Sequence, residues 1–202
     1  MDQCPADRTA RITNAPERLA PLAAEDLDER HHAAIERLRV FYDDDEGEPL
    51  HSFYGILAHS PEFFAGYMDL GIAITASCAL PGRSRELLIL RTGWLCGAPY
   101  QWGEHVRIAR DHGLSSEDVE RVVEGSAAAG WNDQDRALLS AAEELHADAM
   151  IADATWQALA QFLDQRQLLE VPIVVGHYHT TAFLQNAVRV ALNGHNPGLS
   201  AR

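Results

Sequence analysis

Apolar residues along most of the chain recur at helical spacing. Leu27, Ile35 and Leu38 stand between charges from residue 26 onward, a period near 3.6 that predicts a helix. Ser60-Pro61-Glu62 marks a helix start, with a capping hydroxyl and then proline at the first helical position, where its missing N–H is harmless. Pro81-Gly82 breaks that helix. The next starts near Arg83, carries Leu87, Leu88, Leu90 and Leu95, and ends around Gly97. Pro99 opens a further helix over 100–112, closed by Gly113. Ser115 or Ser116, followed by Glu117 and Asp118, caps a short helix to residue 124. Asn132 and Asp133 start a long helix through 148, and Asp153 another to about 165. The last spans roughly 168–192 and ends at Asn193-Gly194. No segment alternates as a strand does between hairpin turns. The predicted fold class is therefore all-α, a single-domain helical bundle of about eight helices over 26–196. Residues 1–25 hold Pro5, Pro16 and Pro21 without a helical period and predict an extended N-terminal arm.

Charge narrows the partners. Sixteen Lys and Arg face thirty Asp and Glu, a formal charge of −14. Nucleic-acid binding needs clustered cations to displace counterions, so no nucleic-acid partner is expected, and anionic membranes are disfavoured. No run reaches the roughly 18–20 apolar residues of a membrane span. The first residues, MDQCPADRTARITNAP, carry acidic side chains and no apolar core, unlike a signal peptide. Cys4, Cys78 and Cys96 lie far apart and form no C-x-x-C, which fits reduced thiols and a cytoplasmic location. The run YDDDEGEP at 42–49 reads as a solvated acidic turn.

Chemistry concentrates in RTGWLCGAPYQWGEHVRIARDHGLS, residues 91–115. A Gly-Ala-Pro connection makes the helices before and after it antiparallel neighbours, so Glu86 at the start of one can meet His105 in the other. Glutamate beside histidine fixes the imidazole tautomer and makes a general acid/base suited to neutral pH. Tyr100 at the helix start can donate to a developing enolate or carboxylate, and Gln101 and Trp102 share the face of His105. The plainer alternatives stay open: His105 as a structural or surface histidine, Glu86 as a first-turn charge, Trp94 and Trp102 as core. His177 and His179 are i, i+2 on a helix and share no face, and His31-His32 read as adjacent and exposed. A cross-helix metal site from Glu86, His105 and His179 lacks a Glu-x-x-His pair, so no metal is expected.

The pattern R-x-R-E-L-x-I-L-R from Arg83 to Arg91, then W-L-C-G-A-x-Y-x-W-x-x-H-x-x-I-A from Trp94 to Ala109, resembles the signature of the carboxymuconolactone decarboxylase family, which shares the alkylhydroperoxidase D-like fold. Weaker likeness extends to the segment around His59 and to Val175–His179 and Asn186, covering most of 20–195. The resemblance implies an all-helical fold assembling as dimers, trimers or hexamers. Its peroxidase branch is similar in carrying Cys-x-x-Cys with a histidine four residues on. Those thiol positions fall here at Ala98 and Gln101, so both cysteines are absent. Cys96 lies two residues too early and has no resolving partner nearby.

The resulting expectation is a cofactor-independent lyase or isomerase acting on a small lactone or aromatic carboxylate. Catalytic roles fall to Glu86, Tyr100 and His105; Trp94, Trp102, Cys96 and His179 are the substrate-binding candidates. The alternatives are a thiol-dependent peroxide reductase using Cys96 and a non-catalytic oligomeric small-molecule-binding protein.

Overall fold

The computed structural model describes residues 4–42 and 52–202, so the acidic run at 43–49 lies outside the described residues. Among the described residues ten α-helices follow one another: α1 (Pro5–Thr13), α2 (Glu29–Tyr42), α3 (Ser52–Leu57), α4 (Pro61–Ala76), α5 (Gly82–Leu95), α6 (Pro99–Asp111), α7 (Ser116–Glu124), α8 (Asp133–Asp148), α9 (Asp153–Leu159) and α10 (Gln165–Val188). Short 3-10 turns lie at Ala24–Asp26 and Gly198–Ser200. The described residues contain no strand, so the all-α expectation holds, with more helices than the eight or so predicted.

The arm is not simply extended. Its first part is α1, which places Pro5 at the first helical position, where no N–H is required. An Arg8 guanidinium nitrogen donates to the Trp94 carbonyl at 2.6 Å, and the Leu199 amide donates to the Thr9 hydroxyl at 3.2 Å. Tertiary contacts of this kind hold a short helix that the periodicity did not announce.

Helix α5 is the centre of the molecule. All residues from Ser84 to Gly93 are buried. One face joins a cluster with α8 and α10 through Leu88, Ile89, Leu138, Ala142, Val171 and Val174. Leu87 and Leu90 join a second with Trp102 and Val106 of α6, Val119 of α7 and Leu199 near the C-terminus. A helix buried all round must pair its charges internally. Arg83 donates to Asp118 at 3.1 Å and to Asp135 at 3.0 Å, and Arg91 to Glu143 at 2.9 Å and to the Val122 and Val123 carbonyls. Two of the arginines in the family-like motif thus tie α5 to α7 and α8.

Caps match the sequence at α7 and α8, whereas the Ser60 hydroxyl expected to cap α4 makes no capping bond. Ser115 and Asp118 form a reciprocal capping box at α7, and the Asn132 side chain accepts the Asp135 amide at α8. The α9–α10 boundary departs from expectation: α9 stops at Leu159, and an Asp164–Gln167 capping box starts α10 at Gln165. Among the described residues no helix is long and apolar enough to cross a membrane.

Candidate functional site

Helices α5 and α6 run back to back because the turn between them is tight. Gly97 has φ +59, and a Cβ there would lie 2.7 Å from Arg8 Nη2. Left-handed backbone and close approach together demand glycine. The hairpin brings Glu86 to His105: Nδ1 of the imidazole lies 2.8 Å from Glu86 Oε2. The Glu86 side chain is 2 % exposed and that of His105 15 %. The other carboxylate oxygen, Oε1, lies 3.7 Å from Arg85 Nε. A carboxylate only accepts, so Nδ1 carries the proton toward Glu86, and Nε2 is left as the basic nitrogen.

α10 supplies the facing wall. The Tyr178 ring stands edge-on to His105, centroids 5.0 Å apart. His177 sits between Tyr178 and Tyr67, with its ring 4.6 Å from the Tyr67 ring. The Tyr67 and Thr181 hydroxyls are 2.6 Å apart. Burial first, then the charge of His105, holds the His177 imidazole down to about 4. His177 is thus a neutral ring packed beside the Glu86–His105 pair, one that sequence reasoning placed only by family likeness. Tyr67 carried no signal at all.

The remaining expected residues fall elsewhere. Tyr100 lies five positions before His105, about 140° round the helix, and its ring packs with Phe53, Ile56 and Val190. Asn193 Nδ2 donates to its hydroxyl at 3.3 Å. Trp94 and Trp102 pack against each other, centroids 5.0 Å apart. Trp102 is fully buried and donates to the Ala201 carbonyl at 3.1 Å, while Arg8 and Arg202 both lie over Trp94. Both tryptophans therefore belong to the core and to the chain ends, in a different cluster from the Tyr178 ring that faces His105. His31, expected at the surface, is buried: its Nε2 lies 2.7 Å from the Ala58 carbonyl oxygen and its Nδ1 accepts the Asp28 amide.

Cys96 and His179 come together, but around His146 rather than His105. His146 Nδ1 lies 2.9 Å from His179 Nε2 and 4.0 Å from Cys96 Sγ. Burial pushes the Cys96 thiol up to about 11, against the opposing pull of Arg8. All three cysteines are free thiols. At the positions where the family's peroxidase branch has cysteines, Ala98 is buried, and Gln101 is a buried amide donating to the Ile89 carbonyl at 3.2 Å.

Fold and hairpin together give an all-helical protein with an alkylhydroperoxidase D-like fold. Residues 61–144 match the model of the carboxymuconolactone decarboxylase family, which bears out the resemblance carried by the central motif. Solved structures agree on the fold. A protein of unknown function from Agrobacterium tumefaciens, likened to the antioxidant defence protein AhpD, is 22% identical with TM-score 0.62, covering 67% of this chain and 93% of that one. A peroxidase-related protein from Silicibacter sp. TM1040 is 16% identical with TM-score 0.73, covering 91% and 95%. The debrominase Bmp8, as a cysteine-to-alanine variant in complex with 2,3,4-tribromopyrrole, is 14% identical with TM-score 0.72, covering 90% and 94%. No curated protein matches the sequence.

Proposed function

We propose that the protein is a cofactor-independent acid/base catalyst, a decarboxylating lyase or an isomerase, acting on a small lactone or aromatic carboxylate. The observation that carries this reading is the 2.8 Å contact between a buried Glu86 carboxylate and His105 Nδ1. In a decarboxylation the bond from carbon to carboxylate breaks, CO2 leaves, and the electron pair moves into a conjugated carbonyl as an enolate. His105, protonated at Nε2, gives its proton to that carbon and regains one from solvent. Glu86 holds the ring and stabilises its charged form, as general acid/base catalysis requires. Tyr178, whose ring stands beside His105, is assigned as the phenol that donates to the enolate in place of Tyr100; Tyr67, His177 and Thr181 complete the surroundings. Such catalysis typically supplies about 10²–10⁴-fold.

The thiol-peroxidase alternative is supported by the peroxidase-related structural neighbours but meets two obstacles. The Cys96 thiol is held protonated at neutral pH, and it forms no disulfide with Cys4 or Cys78. The test is a panel of lactone acids and aromatic carboxylates, halogenated pyrroles included, followed for CO2 release and for deuterium incorporation from D2O. Turnover abolished by His105→Ala and kept by Cys96→Ser supports the proposal. Peroxide consumption lost in Cys96→Ser and kept in His105→Ala overturns it.

Assembly into a homo-oligomer belongs to the same proposal. Leu169, Ile173 and Phe183 are exposed along one side of α10, within about 80° of arc, and Phe63 and Leu70 share a side of α4. Apolar stripes of this kind fit subunit contact.

A further inference from the structure

Three elements deliver nitrogen and sulfur donors to one spot apart from the Glu86–His105 pair. Cys96 caps the end of α5, His146 lies in the last turn of α8, and His179 lies in α10. Cys96 Sγ, His146 Nδ1 and His179 Nε2 all lie within 4.8 Å of one another. The two ring nitrogens are 2.9 Å apart, and the sulfur is 4.0 Å from His146 Nδ1. A hydrogen bond between the two histidines accounts for the shorter contact, and the sulfur stands at the edge of hydrogen-bonding range beside it.

The setting is that of a ligand site. His179 Nδ1 lies 2.9 Å from the Val175 carbonyl oxygen. That oxygen can only accept, so Nδ1 bears the proton and Nε2 presents its lone pair to the cluster. A ligating imidazole is typically oriented in this way by a backbone carbonyl on its other nitrogen. Phe183 stands edge-on to the same ring at 5.7 Å, and Asn186 Nδ2 donates to the Cys96 carbonyl at 3.2 Å, so two ligands are braced from behind. His146 is exposed, which leaves one side open to water. Two cations lie near, but each is engaged: Arg91 with Glu143, and Arg8 with the Trp94 carbonyl and ring.

We propose that Cys96, His146 and His179 form a three-ligand site for a zinc-class divalent cation, with water in the fourth position. Two imidazoles and a thiolate make a donor set that Zn2+ accepts tetrahedrally at about 2.0–2.1 Å to nitrogen and 2.3 Å to sulfur. Tetrahedral angles at those lengths ask for roughly 3.3 Å between nitrogens and 3.5 Å between sulfur and nitrogen. The two distances to His146 need shifts of a few tenths of an ångström, and the Cys96 sulfur and the His179 nitrogen, within 4.8 Å, draw together by up to roughly 1.3 Å. Binding converts the thiol to thiolate and releases one proton to the buffer. The bound ion ties the ends of α5 and α8 to the middle of α10. Chain order hides the site, because its ligands are 50 and 33 residues apart and follow no metal motif. The proposal uses no residue given an acid/base role above, so either can fail without the other.

The test is Co2+ titration of the full chain after chelator treatment. One equivalent should produce a thiolate-to-cobalt charge-transfer band with tetrahedral visible bands, both removed by Zn2+. Cys96→Ser should abolish the charge-transfer band. His146→Asn and His179→Gln should each weaken Co2+ binding by at least about tenfold, with helical circular dichroism unchanged; replacing exposed His32 should leave binding at the wild-type value. Zn2+ should also raise the melting temperature of the wild type and not of Cys96→Ser, which serves should a histidine variant fold poorly. The site is refuted if no charge-transfer band forms, if the band survives in Cys96→Ser, or if both histidine variants bind as the wild type does.

Discussion

Glu86 Oε2 stands 2.8 Å from His105 Nδ1, and this contact decides which ring nitrogen remains for chemistry. Glu86→Gln keeps the size but can offer an N–H to Nδ1, which favours the opposite tautomer. Glu86→Gln and His105→Ala are each expected to cut turnover by roughly 10²–10⁴-fold. The rate constant for deuterium exchange at the substrate carbon is the measurement, with circular dichroism as the folding control.

Acid sensitivity follows from the Arg83 network. Burial works to raise the Asp118 pKa, but hydrogen bonds from Arg83 and from Ser115 outweigh it and hold the carboxyl below its ordinary value. A carboxyl lowered on folding contributes stability fully above its unfolded pKa and loses it as pH falls through the folded one. Asp118→Asn should therefore destabilise the protein at neutral pH by about 2 kcal/mol. It should also flatten the decline in stability below about pH 4. Urea unfolding at pH 7 and at stepwise lower pH measures both effects.

Gly103 has no room for a side chain. An added Cβ would overlap the Asn196 amide, whose Nδ2 donates to the Tyr100 carbonyl at 3.0 Å and whose Oδ1 accepts the Gly198 amide at 2.8 Å. Gly103→Ala must displace the C-terminal segment from α6. The expected loss is about 1–3 kcal/mol, read as a lower melting temperature.

The exposed stripe on α10 makes a separate prediction. Light scattering should give a multiple of the protomer mass for the wild type, and Ile173→Asp with Phe183→Asp should shift it toward the single protomer. A monomeric wild type would dispose of the subunit contact.

Local chemistry made some features readable in advance. Asn132 and Ser115 announce their helices because a capping side chain acts within three residues. Glu86 and His105 were legible as partners because a short connection leaves two helices little choice but to lie side by side. Other features depend on what arrives from afar. The peptide Pro5–Thr13 is helical against the Trp94 carbonyl and Leu199, and His31 is buried because the Ala58 carbonyl waits for it. Trp102 looked available on the face of His105, yet a core position and the Ala201 carbonyl claim it. His146 reaches Cys96 and His179 only after three helices have packed, and no spacing along the chain encodes that meeting.

Arg8 and Arg202 lie over the same Trp94 ring, 5.1 and 5.6 Å from its centroid. The segments that carry Arg8 and Arg202 therefore close like a clasp on the bend between the helices that hold Glu86 and His105. Replacing either arginine by alanine opens one side of that clasp. The effect is to be sought in the geometry of the α5–α6 bend as much as in thermal stability.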